Sequence, residues 1–231
     1  MKPLRLLLGI ILSFSLMFIA LITSIEAAAY SDFSFYEKEY NKYAVTRFVD
    51  ISMPDLMNVT VNMMHYLNGN KDTLTDVEAT IKDVPDTPFF NEREVAHMKD
   101  VRGLFIGAVH LRNLLIVVSI ICIISAKLLK GSTSRFISNV LLYGTLISLA
   151  VAGMLIFVIS GDFEKYFILF HHMLFNNDLW MLNPATDNLI NIVPEGFFVD
   201  MTKRIVIIFS SYIIFLVGCG IVIKKSFKII S

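Results

Sequence analysis

Four apolar stretches divide this chain of 231 residues, and they confine where its chemistry can lie. Residues 6–25, 136–161 and 205–223 carry no charged side chain, and residues 113–126 form one further uncharged run. A helix that crosses a bilayer needs about 20 mostly apolar residues, and all of its backbone polar groups must be satisfied internally. Three stretches meet that length directly. The run at 113–126 meets it when extended from about His110 to Leu129, which leaves Arg112 near one face of the bilayer, where a long side chain snorkels. Hydrophobic residues make up 55% of the chain. The sequence therefore predicts a mainly α membrane protein with four transmembrane helices, at about 5–25, 110–129, 136–160 and 204–223. All five histidines and all twenty carboxylates fall in 26–112 and 160–204. These parts predict a single extracellular cap, formed by 26–109 and 161–203, of short helices and at most a few strands.

Orientation follows from the Lys and Arg of the short connections. Lys2, Arg5, Lys127, Lys130, Arg135, Lys224, Lys225 and Lys228 share one side with no acid, whereas the other side holds twelve cations and twenty acids. The chain is expected to be a multi-pass protein of the cell membrane, with both termini cytoplasmic and the cap outside. The N-terminus has a rival reading as a signal peptide, with IEAAAYS as its cleavage site. Its apolar run is longer than the usual h-region of about 7–15 residues, so a retained first helix is expected. Cys122 and Cys219 sit in apolar runs as small packing residues, and no disulfide framework holds the cap.

Within the cap, alternation over Ala44–Ile51 predicts a short strand. Ser52 before Met53-Pro54 starts a helix that runs to about Leu67 and stops at Asn68-Gly69-Asn70. Residues 71–90, with Pro85 and Pro88, read as a turn or hairpin region. Asn91 followed by Glu94 resembles a capping box. The helix it starts carries His97 and feeds the second span, with Gly103 and Gly107 as candidate bends. YFILFHHMLF at 166–175 is too short to cross a bilayer and reads as an interfacial piece. Trp180, Phe197 and Phe198 suit the headgroup region, where aromatic rings gather.

The stretch FHHMLFNNDLWMLNPATDNLINIVPEGFF resembles the pattern of a family of small four-span bacterial membrane proteins, the lipoprotein intramolecular transacylases. EREVAHMKDV is similar to a second motif of that family, and the motif matches cover about 92–104 and 170–198. The resemblance implies an acyltransferase acting on a bacterial lipoprotein whose N-terminal cysteine carries a diacylglyceryl group. It would move the sn-2 acyl chain to the α-amino group of the same cysteine, giving the lyso form. It implies His97 and His171 as the catalytic pair, and the adjacent His172 offers a second imidazole.

The chemistry suits these residues. Transfer from ester to amine needs an unprotonated amine, with a pKa near ~8, and a group that accepts and returns a proton. Histidine does both around neutral pH. The chain lacks G-x-S-x-G, and a reaction within one molecule needs no protein nucleophile.

Asp100, three residues after His97, is a candidate to orient or polarise that ring. Arg112 is a candidate for binding phosphate or an oxyanion, with snorkelling as the plainer role. Asp178, His172 and Trp180 complete the second-shell or substrate-binding candidates, although Trp180 reads first as an interfacial anchor. Asp187 reads as a turn-capping residue, and His65 and His110 as structural. No H-E-x-x-H or other zinc spacing is present, so neither metal nor cofactor is expected. The expected partners are the lipoprotein N-terminus and membrane lipid, with no nucleic acid; the oligomeric state stays open. The competing reading is a non-enzymatic membrane sensor or accessory protein whose cap binds a lipid or a partner.

Overall fold

A computed structural model describes residues 2–147, 149, 150, 153 and 162–230. The described residues are mainly helical, with one small sheet. Among the described residues, three helices are long and apolar enough to cross a membrane: α1 (Lys2–Tyr30), α5 (Glu92–Leu128) and α9 (Glu195–Ile230, apolar as far as Ser226). The second half of the span expected at 136–160 falls largely outside the described residues; its start lies in α6 (Thr133–Asn139) and a π-helical turn (Val140–Gly144). Helix α5 continues unbroken through Gly103 and Gly107 and carries His97 on its first turns. By contacts the chain divides into two compact units. Unit 1 comprises 1–27, 109–161 and 205–231, and unit 2 comprises 28–108 and 162–204.

Unit 1 packs in two small clusters. Leu12, Cys122, Ala126, Phe136 and Val140 form one, and Ala20, Phe209 and Ile213 form the other. Its close approaches use glycine: a Cβ on Gly144 would lie 2.0 Å from Ser13 Oγ. Ser138 Oγ donates to the Gly220 carbonyl at 2.9 Å, joining α6 to α9. The Arg5 guanidinium donates to the carbonyls of Ala126, Leu129, Lys130 and Ser132, at 2.8–3.3 Å. It thereby satisfies acceptors that the end of α5 leaves open. Arg112 forms an ion pair with Glu26, a partner the sequence reading did not foresee.

Unit 2 has a denser core. It gathers α2 (Ser34–Lys42), α3 (Val45–Val49), α4 (Met53–Leu67) and the hairpin β1 (Glu78–Ile81) and β2 (Val84–Pro88). Tyr40, Leu56, Val59, Leu74, Phe89 and Ile192 are buried at its centre. Ser52 caps α4 by accepting from Asp55 N at 3.2 Å, and the helix stops before Gly69, which has φ +88°. The hairpin turns through Lys82 and Asp83, both at positive φ, the geometry that two-residue hairpin loops favour.

Two expectations fail in unit 2. Residues 45–49 form helix α3 rather than a strand. A strand would bury Arg47 beside Val45 and Val49, whereas one helical turn buries the two valines and leaves Arg47 exposed. Left-handed Ala44 and Asp50 turn the chain at either end, and only Ile51 bridges the sheet, at Ile81. Phe197 is not a headgroup aromatic: it is buried in the core, its ring stacked with Tyr40 at 6.3 Å. That packing depends on Gly196, where a Cβ would lie 2.3 Å from Tyr43 Cζ.

Candidate active site

The reciprocal capping box expected at the start of α5 is present. Asn91 Oδ1 accepts from Glu94 N at 3.0 Å, and Glu94 Oε2 accepts from Asn91 N at 2.7 Å. Glu94 does more than cap. It is buried, and its other oxygen accepts from Leu189 N at 2.6 Å, at α8 (Asn188–Ile192). Burial pushes its carboxyl above the ordinary range, against the hydrogen bonds from Leu189 and Asn91.

Asp187 lies beside Glu94. Its carboxylate accepts from Asn183 N at 2.7 Å, Asn91 Nδ2 at 2.8 Å and Thr186 Oγ1 at 2.9 Å. Burial would raise it, but these bonds prevail and hold it below the usual carboxylate value. Asp187 thus closes the 183–187 turn, as read from the sequence, and also ties that turn to the start of α5.

One turn beyond Glu94, α5 presents His97. The second histidine comes from α7 (Phe163–Leu174), where Asp162 caps the first turn by accepting from Lys165 N at 3.1 Å. Leu169, Phe170, Met173 and Leu174 on α7 are exposed, whereas His171 and the following Phe175 are buried. This amphipathic face brings the two imidazoles together: the His97 and His171 rings lie 6.2 Å apart, centroid to centroid. Phe175 packs against both, at 5.4 and 5.7 Å.

The surroundings fix the state of each ring. The Phe167 carbonyl lies 2.7 Å from His171 Nδ1, so a neutral ring donates there and keeps the Nε2 lone pair free. Burial lowers the His171 pKa, the Phe167 carbonyl opposes that, and His172 adds to the lowering. His97 Nδ1 is buried with no hydrogen-bond partner among the described residues. Burial pushes His97 down to about 4, with His171 adding and Asp100 opposing. Burial thus disfavours the charged form of both rings.

Trp180 forms a wall of this site: it is buried and stacked on His171 at 4.7 Å. Asn177 holds it there. Its carbonyl accepts from Trp180 Nε1 at 3.0 Å, while its side-chain amide donates to Asp100 Oδ2 at 2.9 Å. Asp100 therefore braces the 177–180 loop and makes no hydrogen bond to His97; only its charge acts on that ring.

The other candidates make no hydrogen bond to either imidazole among the described residues. His172 is exposed and meets the edge of Trp180 at 5.2 Å. The Asp178 carboxylate is exposed, 3.9 Å from Arg93, and its carbonyl accepts from the same guanidinium. Arg112 belongs to unit 1 and pairs with Glu26. No group of three His, Cys, Asp or Glu side chains among the described residues is arranged to hold a metal ion. The sequence reading missed Phe167, Phe175 and Asn177. The last two stand inside the motif at 170–198, but nothing in their spacing revealed which ring each would touch.

A profile of the family "Lipoprotein intramolecular transacylase Lit" matches residues 10–198. The chain belongs to this enzyme family. It is similar over 99% of its length to the in meso structure of the membrane integral lipoprotein intramolecular transacylase Lit from Bacillus cereus, at 20% identity and a TM-score of 0.81, covering all of that chain. A histidine-to-arginine variant of the Bacillus cereus protein gives 0.80 at the same identity, over 100% of this chain and 96% of that one. At this identity the likeness shows a shared membrane-protein fold. An uncharacterized protein of Aquifex aeolicus (strain VF5) is 32% identical over 142 residues, which span 60% of each chain. Family membership, the shared fold and the three apolar helices make this a multi-pass membrane protein.

Proposed function

We propose that this chain is a lipoprotein intramolecular transacylase that moves the sn-2 acyl chain of a diacylglyceryl-cysteine to the α-amino group of the same cysteine. The observation that carries the reading is the pair of buried imidazoles held 6.2 Å apart on two helices, in a member of this family. The amine nitrogen attacks the ester carbonyl carbon, a C–N bond forms, and the C–O bond to the glyceryl group breaks. One proton passes from nitrogen to the departing oxygen, so substrate and product have equal mass.

His171 is suited to take that proton. Its Nδ1–H is engaged with the Phe167 carbonyl, which leaves Nε2 as the acceptor and supports the positive charge that develops. His97 holds no spare proton of its own; it is suited to receive that proton from His171 and hand it to the departing oxygen, because a ring with a pKa near 4 gives a proton up readily. Both cysteines lie in unit 1, whereas His97 and His171 belong to unit 2, which agrees with a transfer needing no protein nucleophile.

The membrane arrangement belongs to the same proposal. The segment at 136–160 supplies a fourth span, the termini are cytoplasmic, and 26–109 with 161–203 face outward, where a lipoprotein N-terminus lies. Eight cations without an acid on one side support this orientation.

The test is mass spectrometry of a lipoprotein N-terminal peptide from a host lacking this activity, with and without the gene. Unchanged mass, with fragments carrying one acyl chain on nitrogen and one on glycerol, is expected. A free amine on an intact diacylglyceryl peptide, despite good expression, would overturn the reading and favour a sensor or accessory role.

A further inference from the structure

Unit 1 contains a groove of about 600 Å³ that the transacylase reading leaves unused. One end is cationic, lined by Arg5, Lys130 and Arg135, and no carboxylate lines any part of it. The remainder is mostly apolar, with Ser13, Ser132 and Asn139 the polar side chains among its lining. Leu6, Ile10 and Phe14 of α1 form one wall, and Phe136, Tyr143 and Ile147 form the other. From Arg5 to Phe14, α1 rises roughly 13 Å at ~1.5 Å per residue. The groove is therefore a trench with a positive head and a long hydrophobic body.

The cationic end is built rather than incidental. Arg5 is fixed by its bonds to four carbonyls, and Gly131, at φ +123°, leaves room for that guanidinium: a Cβ there would lie 3.0 Å from Arg5 Nη1. Several apolar residues of the trench are open to the surroundings, including Leu6, Phe14, Tyr143 and Ile147.

We propose that this groove is a binding site for an anionic phospholipid, with the phosphate-bearing headgroup at Lys130 and Arg135 and an acyl chain along the trench. Charge complementarity selects the occupant. A zwitterionic lipid fits the apolar body equally well but brings no net negative charge to three cations. Basic pockets between membrane helices commonly hold anionic headgroups, and each basic residue contributes about 1 kcal/mol to that attraction. The proposal concerns unit 1 only and stands or falls apart from the histidine chemistry.

The experiment is native mass spectrometry of the detergent-purified full chain, titrated with phosphatidylglycerol or phosphatidylcholine of identical acyl chains. Wild type is expected to retain phosphatidylglycerol preferentially. K130Q/R135Q should lower that preference about 30-fold, the equivalent of two lost charges. Ile10→Trp, which fills the trench and leaves the charges in place, should weaken retention of both lipids. The control K2Q/K225Q removes two exposed cations outside the groove and should leave the preference intact.

Equal retention of the two lipids by wild type would overturn the proposal. So would a loss in the control as large as in K130Q/R135Q, which would make the preference a general effect of charge. Inorganic phosphate that displaces phosphatidylglycerol as well as a second phospholipid does would overturn the lipid assignment and leave a simple anion site. Circular dichroism of each variant, expected to match wild type, separates loss of the site from loss of the fold.

Discussion

The two units of this protein handle hydrophobicity in opposite ways. Unit 1 turns large apolar side chains outward: Leu6 is 67% exposed, Ile214 72% and Phe215 67%. Its buried clusters are small, and its tightest approaches use glycine. Unit 2 folds its apolar residues inward around Tyr40, Leu56 and Phe89, and spends its buried polar groups on bonds that cross the unit, such as Glu94 to Leu189. Lipid is as apolar as leucine, so a helix in a bilayer gains little by hiding its leucines. A unit in contact with water gains about 25 cal/mol for each Å² of apolar surface removed. Reactive side chains can therefore be held in the second unit by a true core, whereas the first turns large apolar side chains outward.

Substitutions test this contrast most sharply at the histidines. His97→Ala and His171→Ala should each cut transacylation about 10²–10⁴-fold, the range of general acid–base assistance. His65→Ala, at an exposed position of unit 2, should keep it. Quantifying the N-acylated peptide checks all three. Equal losses in the three variants would mean that unit 2 as a whole, rather than the paired rings, supports the activity.

Glu94→Ala removes the acceptor of two backbone N–H groups, those of Asn91 and Leu189. Each buried N–H left unpaired costs about 1–3 kcal/mol. Denaturant unfolding should record that loss, with Glu94→Gln recovering part of it. In unit 1, Ile214→Arg places a charge on an exposed apolar helix face and should cost about 3 kcal/mol of membrane insertion. The fraction of protein resistant to alkaline extraction measures it.

A smaller, pH-dependent effect comes from His97. Its folded pKa, about 4, lies below the ordinary value of 6.5. Between these values the unfolded chain binds a proton that the folded chain refuses, so stability falls as pH drops from 6.5 to 4 and loses nothing further from this group below that. His171 acts in the same direction. His97→Asn should flatten the thermal midpoint against pH in that window, and an unchanged slope would mean that the ring is not desolvated. The smallest effect is expected at Phe48, 74% exposed on α3 of unit 2: Phe48→Lys should shift stability by no more than about 0.5 kcal/mol. A cost equal to that of Ile214→Arg would erase the distinction between the units.

Local signals were legible where a few neighbouring residues carry the whole cause. Ser52 with Pro54, Asn91 with Glu94, and the apolar runs of α1, α5 and α9 act within one or two turns, and the sequence displays them directly. Alternation over 44–51 misled because two buried valines four residues apart fit a helical turn as well as a strand. The exposure of Arg47 chooses between them, and that depends on what packs above it. Phe197 and Trp180 read as headgroup aromatics by composition. One lies in the core beside Tyr40, more than a hundred residues away, and the other lies over His171, nine residues back on α7.

The sequence by itself determined that this is a membrane chain with its titratable groups gathered in two segments, and the two motifs carry its family. Hydropathy and charge are sums over neighbours, so no folding is needed to read them. Only the tertiary structure decided that His97 and His171, seventy-four positions apart, face each other in a dry site, that Phe167 fixes the proton on one ring, and that Asp100 braces Asn177 rather than the imidazole. Those facts depend on distances across the core of unit 2, and long-range distance is set by packing, which a linear pattern of residues does not contain.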